Sequence, residues 1–362
     1  MAGQGHFDAI IVGAGPAGLA LATMLRPELR VLVLERRAQP AKAPPIGESL
    51  PGATAVLLQR LQLWERFQQA GHRERGGAVA VWDQESPVWQ DAIRDPAGPG
   101  WHLDRGRFEA MLRQRALEAG ADLLEGCAPS DIRHHQGLWQ LATPQGRFQA
   151  PVLVDATGRS GSLGRQLGLK RQSGDPLLCL YSFLEQGSQR QDSTLRLQAD
   201  AQGWWYTVPL PQGQRVLAYH LDGDDPQGRQ LRRPEAFLAK ARQHPLLAEV
   251  LADLPPAQLR CRAAGTSLLP VEELPKAGPG FLAIGDALLA FDPIASQGIF
   301  HSLASAASAT KAIKAGLDHP DLGLGAYQQE MQAVTQRYLW HLKASYQGPR
   351  RFSQEPFWQR RQ

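Results

Sequence analysis

The chain has 362 residues, 43% of them apolar and 20% charged, with 36 glycines and 27 prolines. That is enough apolar chain for a large core, and it excludes a disordered, collagen-like or small disulfide-stapled protein. The net charge is +4, with Lys and Arg scattered rather than gathered among aromatics, which speaks against a nucleic-acid partner.

The opening six residues carry no basic region and no cleavage site, so no signal peptide is expected. The apolar run over 10–25 is interrupted by Gly13, Gly15, Pro16 and Gly18, and so reads as strand, turn and helix rather than a membrane span. The expectation is a soluble, cytoplasmic protein with no membrane partner. Cys127, Cys179 and Cys261 form no CxxC pair and suggest neither a disulfide framework nor a metal site; they are expected as buried bystanders in a reducing compartment.

Residues 8–12 form a short, β-branched apolar run, the pattern of a buried parallel strand. Gly13-Ala14-Gly15-Pro16-Ala17-Gly18 follows, then a helical pattern over 19–25, then a second buried strand over 30–35 ending in Glu35. In this order the motif is a dinucleotide fingerprint. Gly13 permits the tight turn, Gly15 lets the backbone approach a pyrophosphate, and Gly18 lets the helix pack on the strand. The helix N-terminus supplies free N–H groups for the phosphates, and Glu35 can accept the ribose hydroxyls of an adenosine.

Further along stands Ile46-Gly47-Glu48-Ser49-Leu50-Pro51, after a loop over 38–45. Residues 104–109, Asp-Arg-Gly-Arg-Phe-Glu, open an amphipathic helix that runs to about 120. Residues 151–158 are a buried strand ending in Asp155-Ala156-Thr157-Gly158. Short alternating runs over 180–184, 193–197, 204–208 and 215–220, separated by turn residues, predict antiparallel strands, and a helical pattern over 234–251 follows. A third buried strand ends in Ile284-Gly285-Asp286-Ala287, and Asp292-Pro293-Ile294-Ala295-Ser296-Gln297-Gly298 leads into a small-residue helix over 299–312. These elements predict an α/β fold: a Rossmann-like dinucleotide-binding domain over 1–170 and 262–330, an inserted antiparallel β-sheet substrate domain over 171–261, and a C-terminal helical segment over 331–362.

The ordered set GxGxxG…E, D-R-x-x-F, D-A-T-G, G-D-A, D-P-x-x-x-x-G resembles the superfamily of FAD-dependent aromatic hydroxylases and tryptophan halogenases over nearly the whole chain. The resemblance implies that the domain over 1–170 and 262–330 is an FAD-binding domain of the GR2 type, that Gly13, Gly15, Gly18 and Glu35 hold the adenosine end of FAD, and that Ala17, Arg36, Asp155 and Gly158 also bind the cofactor. It implies that Arg105 reaches the flavin side of the nucleotide, that Gly285 and Asp286 meet the ribityl chain, and that Pro293, Gln297, Gly298 and Ile299 face the flavin N1–C2=O edge. A helix N-terminus there has a physical use, because reduced flavin carries negative charge near N1.

Only one dinucleotide fingerprint occurs, so electrons come from transiently bound NAD(P)H or a separate flavin reductase, with O₂ as oxidant. In flavin-dependent halogenases a catalytic lysine follows the G-E-x-x-x-P segment by some thirty residues, and a W-x-W-x-I-P motif lies further on. Here no lysine stands between Lys42 and Lys170, and the second motif reads Trp204-x-Tyr206-x-Val208-Pro209, so halogenation is disfavoured. Within the superfamily the chain is most similar to the LodB/GoxB-like flavoproteins of cysteine tryptophylquinone biogenesis. That implies hydroxylation of a peptidyl tryptophan through a flavin C4a-hydroperoxide, with the precursor of a tryptophylquinone-dependent amino-acid oxidase as partner and substrate.

Glu48 and Ser49 are the candidate catalytic residues, and each has two readings. Glu48 orients an indole N–H or takes the ring proton, or it is a loop carboxylate bonded to backbone N–H groups. Ser49 bonds the flavin edge, or it caps a helix starting near Pro51. Trp204 and Tyr206 line a substrate cavity or simply pack on a sheet; Trp82, Trp89 and Trp101 form a pocket rim or its packing. His301 is read as an ordinary hydrogen-bonded histidine rather than a catalytic one. A small-molecule aromatic hydroxylase, an isoprenoid reductase and a flavin-binding chaperone are the competing functions.

Overall fold

A computed structural model describes residues 3–39, 46–187, 192–318 and 320–362; most of the 38–45 loop falls outside them. The fingerprint strand Ala9–Val12 lies in the middle of a five-stranded parallel sheet, ordered Phe281–Ala283, Val152–Asp155, Ala9–Val12, Val31–Glu35, Asp122–Glu125. Ala9, Ile10, Ile11, Val31, Val33 and Leu34 are wholly buried, because the parallel sheet is covered by helices and by strands of a smaller sheet. The helix Pro16–Leu25 packs between Gly298–Asp318 and Arg105–Glu118. Asp104 caps the latter, its carboxylate accepting from Arg107 N at 3.0 Å. A smaller sheet, Asp131–His135, Leu138–Thr143, Gly146–Ala150 and Gly3–His6, lies alongside.

The expected α/β architecture is present. The second large sheet has seven strands, ordered Arg260–Ala263, Leu177–Glu185, Gln214–Asp222, Gly203–Pro209, Thr194–Asp200, Gly77–Val81, Val88–Asp91. Two of these come from outside 171–261, and the pair Thr194–Asp200 with Gly77–Val81 is parallel, so the sheet is mixed rather than purely antiparallel. Period-two alternation sorts its residues onto two faces. Leu180, Trp205, Leu217, Tyr219 and Leu221 pack under two helices, whereas Cys179, Tyr181, Trp204 and Ala218 face the other way, toward the C-terminal segment.

The helical pattern over 234–251 is two helices, Pro234–Ala241 and Pro245–Leu251. Pro245 has no N–H to continue the first and holds His244 extended (φ −93°, ψ 117°). Downstream, the helix Pro320–Gln347 runs through position 330, where the C-terminal segment was expected to begin. No described helix is long and apolar enough to cross a membrane. Of the cysteines, Cys127 and Cys179 are buried, but Cys261 is exposed on an edge strand.

Candidate flavin site

A cavity of about 480 Å³ opens at the C-terminal ends of the parallel strands and runs beneath the seven-stranded sheet. Its cofactor-side wall holds Gly15, Ala17, Arg36, Arg105, Gly158 and Asp286, and Pro293, Gln297, Gly298 and Ile299 form the wall next to them. Glu48, Ser49, Trp204 and Tyr206 close the sheet side. The fold therefore brings fourteen of the residues singled out in the sequence to one cavity, from segments up to 284 positions apart.

Five others stand behind the wall. Gly13 has φ +115°, and a Cβ there would lie 2.2 Å from the Ala156 carbonyl oxygen. A Cβ on Gly18 would lie 2.0 Å from the Gly13 carbonyl oxygen. Both glycines are thus required by turn geometry and helix packing. Glu35 accepts from Ala14 N and Arg37 N, each at 2.9 Å, tying the strand end to the glycine turn. Gly285 donates its N–H to Ser305 Oγ at 2.9 Å.

Asp155 is bound up in its own turn. Oδ1 accepts from Thr157 N (2.9 Å) and Thr157 Oγ1 (2.6 Å), and Oδ2 accepts from Gly164 N (2.8 Å). It organises the turn that presents Gly158 and does not reach the cavity.

The residues present fit a dinucleotide flavin. The helix starting at Pro16 has no side-chain cap at Gly15 and no acid in its first turn, so its N-terminal N–H groups are unclaimed by side chains. A Cβ on Gly15 would meet nothing within 4 Å, which leaves room for a phosphate against the backbone. Arg105 donates from Nη1 to Gly47 O at 2.6 Å and pairs with Glu109, while its buried Nε has no partner among the described residues. Asp286 lines the cavity. Burial pushes its carboxyl up from the ordinary range, while Arg159, Arg105 and Arg171 pull it back. The helix beginning at Gly298 likewise has no acid in its first turn, which suits negative charge at a flavin edge.

On the sheet side, Tyr206 donates its hydroxyl to Glu48 Oε2 at 2.9 Å, joining residues 158 positions apart. Glu48 is buried, and its Oε1 has no hydrogen-bond partner among the described residues. Burial raises its pKa; the Tyr206 hydrogen bond and the Arg105 charge offset part of that. The Glu48 carboxylate thus meets Tyr206 across the site as well as the backbone of Gly47 and Glu48 in its own loop.

Ser49 lines the cavity but caps no helix. It pairs with His102 in a short strand, and the next helix starts at Thr54 behind Ala53. Trp82 packs on Trp204 and Trp358, Trp89 is exposed, and Trp101 packs on Trp64 and Phe67, so none of the three lines the cavity. His301 is buried against Phe291, its Nε2 unpaired among the described residues, and burial lowers its pKa to about 4.

Four further residues matter that the motifs did not single out. Arg159 donates to Gly265 O (2.5 Å) and Phe291 O (2.8 Å), fastening the turn at Gly158 to the segment before Asp292. Cys179, His220 and Trp204 stand abreast on three neighbouring strands, with the His220 ring stacked on Trp204 at 3.7 Å. Desolvation lowers His220 to about 3 and so keeps it neutral. Asp292 was visible only as a motif letter, yet its carboxyl is buried and raised to about 7 by desolvation. Arg159 follows the D-A-T-G turn directly, and extending the two-residue alternation along the strands would have placed Cys179 and His220 on the Trp204 face.

Residues 6–340 match the FAD binding domain family. The chain belongs to that family. It is 27% identical to LodB of Marinomonas mediterranea over 98% of this chain and 96% of LodB. Its fold matches the myxobacterial chondrochloren halogenase CndH with a TM-score of 0.85 at 22% identity, covering 99% of this chain and 86% of that one. It also matches QhpG, a peptidyl tryptophan dihydroxylase essential for tryptophylquinone cofactor biogenesis, with a TM-score of 0.74 at 24% identity over 98% and 78%. The resemblance drawn from the motifs stands, and the chain is an FAD-dependent oxidoreductase of this family.

Proposed function

We propose that this flavoprotein is a monooxygenase that hydroxylates a tryptophan side chain, namely a peptidyl tryptophan in the precursor of a tryptophylquinone-dependent amino-acid oxidase. The observation that carries the reading is the sheet-side wall. It sets one buried carboxylate, Glu48, among Leu195, Leu197, Trp204 and Tyr206; among the described residues its Oε1 has no partner and no lysine lines the cavity. An electron-rich ring with an N–H donor suits that wall, whereas the lysine-aimed chemistry of halogenases finds no side chain for it. The likeness to LodB along nearly both whole chains supports the same reading, as does the fold shared with QhpG.

Bound FAD, reduced by NAD(P)H or a separate reductase, supplies the activation of O₂, one atom of which enters the ring while the other leaves as water. The protein's own share is positioning and exclusion of water. Glu48 Oε1 accepts the indole N–H or takes the proton that the ring sheds on hydroxylation. Tyr206 holds Glu48 by its other oxygen. Trp204 and the two leucines keep the ring's surroundings dry. In this reading residues 1–170 with 262–330 hold the cofactor, 171–261 shape the substrate side, and 331–362 form the tail.

The test is mass spectrometry of a candidate precursor oxidase produced with and without this protein. Oxygen gained on its core tryptophan, and lost with Asp286→Ala or without reductant, supports the proposal. No gain, together with fast NAD(P)H oxidation in the presence of a free aromatic compound, would replace it with a small-molecule hydroxylase.

A further inference from the structure

The C-terminal helix Pro320–Gln347 touches the loop before residue 293 at two points. Asp292 N donates to Tyr338 Oη at 2.8 Å, and Tyr346 Oη donates to Asp292 Oδ2 at 2.9 Å. Asp292 Oδ1 accepts from Ile294 N at 2.9 Å, which shapes the start of the 293–298 loop on the cavity wall. The Tyr346 hydroxyl also accepts from Trp204 Nε1, at 3.3 Å, on the sheet-side wall. Tyr346 itself does not line the cavity.

We propose that Tyr346 is a positioning residue that couples the two walls of the site. Its hydroxyl carries a hydrogen-bond chain from the Trp204 indole to the Asp292 carboxylate, so that a shift of Trp204 is felt by the loop that meets the flavin. Burial, together with the neighbouring Asp292, keeps the phenol protonated and able to donate. Every link is buried, where water cannot replace a lost partner. The coupling rests on the flavin reading of the cavity and not on tryptophan hydroxylation.

The test uses the full-length FAD-loaded protein without any aromatic substrate and reads the flavin absorbance spectrum, its reduction potential and the FAD dissociation constant. Tyr346→Phe keeps the ring contacts with Phe357 and Trp358 and removes only the hydroxyl. It should weaken FAD binding about fivefold, the scale of one buried hydrogen bond, and shift the spectrum and potential. Trp204→Phe, which removes the N–H but keeps a ring against His220, should change the same readings in the same direction. The double variant should change little more than the larger single one. Wild-type readings in Tyr346→Phe, or effects of the two substitutions that simply add, overturn the coupling. If Tyr346→Phe fails to fold, Trp204→Phe decides alone: altered flavin readings support the coupling and unaltered ones overturn it. Wild-type protein that takes up no FAD refutes the flavin reading, and the coupling with it.

Discussion

Asp292→Asn should change the stability of this protein with opposite sign at low and high pH. Desolvation raises the Asp292 carboxyl from 3.8 to about 7, against the lowering effect of the Ile294 N–H and the Tyr346 hydroxyl. A raised carboxyl pKa means that the fold favours the protonated form. Its contribution is therefore fully present below pH 3.8 and is lost progressively as pH rises through about 7. At 1.36 kcal/mol per unit, ionised Asp292 costs the fold about 4 kcal/mol at pH 8. Asparagine keeps an oxygen for Ile294 N but gives up the acceptor for Tyr346, a loss of about 1 kcal/mol. The variant should be about 1 kcal/mol less stable than wild type at pH 4 and about 3 kcal/mol more stable at pH 8. With an unfolding entropy of about 2.1 cal/mol/K per residue, the 362-residue chain has about 0.76 kcal/mol/K, so the Tm difference should swing by about 5 °C. Thermal denaturation of both proteins at matched FAD excess reads this directly. A Tm difference that stays constant from pH 4 to pH 8 would show that water reaches Asp292, and would remove the argument for a desolvated loop.

Glu48→Gln should keep FAD while lowering tryptophan hydroxylation by about 10²–10⁴-fold, the usual yield of a placed proton acceptor; unchanged turnover of the precursor in a mass-spectrometric time course would remove Glu48 from the chemistry. Gly13→Ala places a methyl 2.2 Å from the Ala156 carbonyl oxygen at φ +115°, so FAD should be lost on gel filtration and soluble yield should fall; a yellow, stable variant would contradict the turn geometry. Trp358→Ala removes a fully buried ring whose Nε1 donates to Asp200 O at 2.9 Å, at a cost of about 3–5 kcal/mol, which calorimetry should read as a Tm lower by about 4–7 °C.

The cofactor half of the site was legible because its physics is local. A left-handed Gly13, a helix with an uncapped N-terminus and an acid closing the second strand must follow one another within a few residues for a parallel sheet to present a phosphate site, so their order alone announces them. The same local logic placed the Gly298 helix and Asp286. It could not read the turn contacts of Asp155, since an acid at a strand end serves a ligand or its own turn equally well, and only the positions of Thr157 and Gly164 show the latter. It also joined two helices across Pro245, because an unbroken apolar periodicity outweighed a proline that is equally at home at the first position of a new helix.

The sequence by itself determined the α/β class, the dinucleotide fingerprint and the alternation that puts Trp204 and Tyr206 on one face of a sheet, all of which depend on short-range spacing. The tertiary structure alone decided what that face meets. Glu48 finds Tyr206, Trp204 finds Tyr346, and Tyr346 finds Asp292 across separations of 158, 142 and 54 residues. Periodicity specifies which way a side chain points but not what lies opposite. The partner across a cavity is set by how sheets and helices pack, and that packing also excludes the water that would otherwise leave these carboxyl groups at their ordinary pKa.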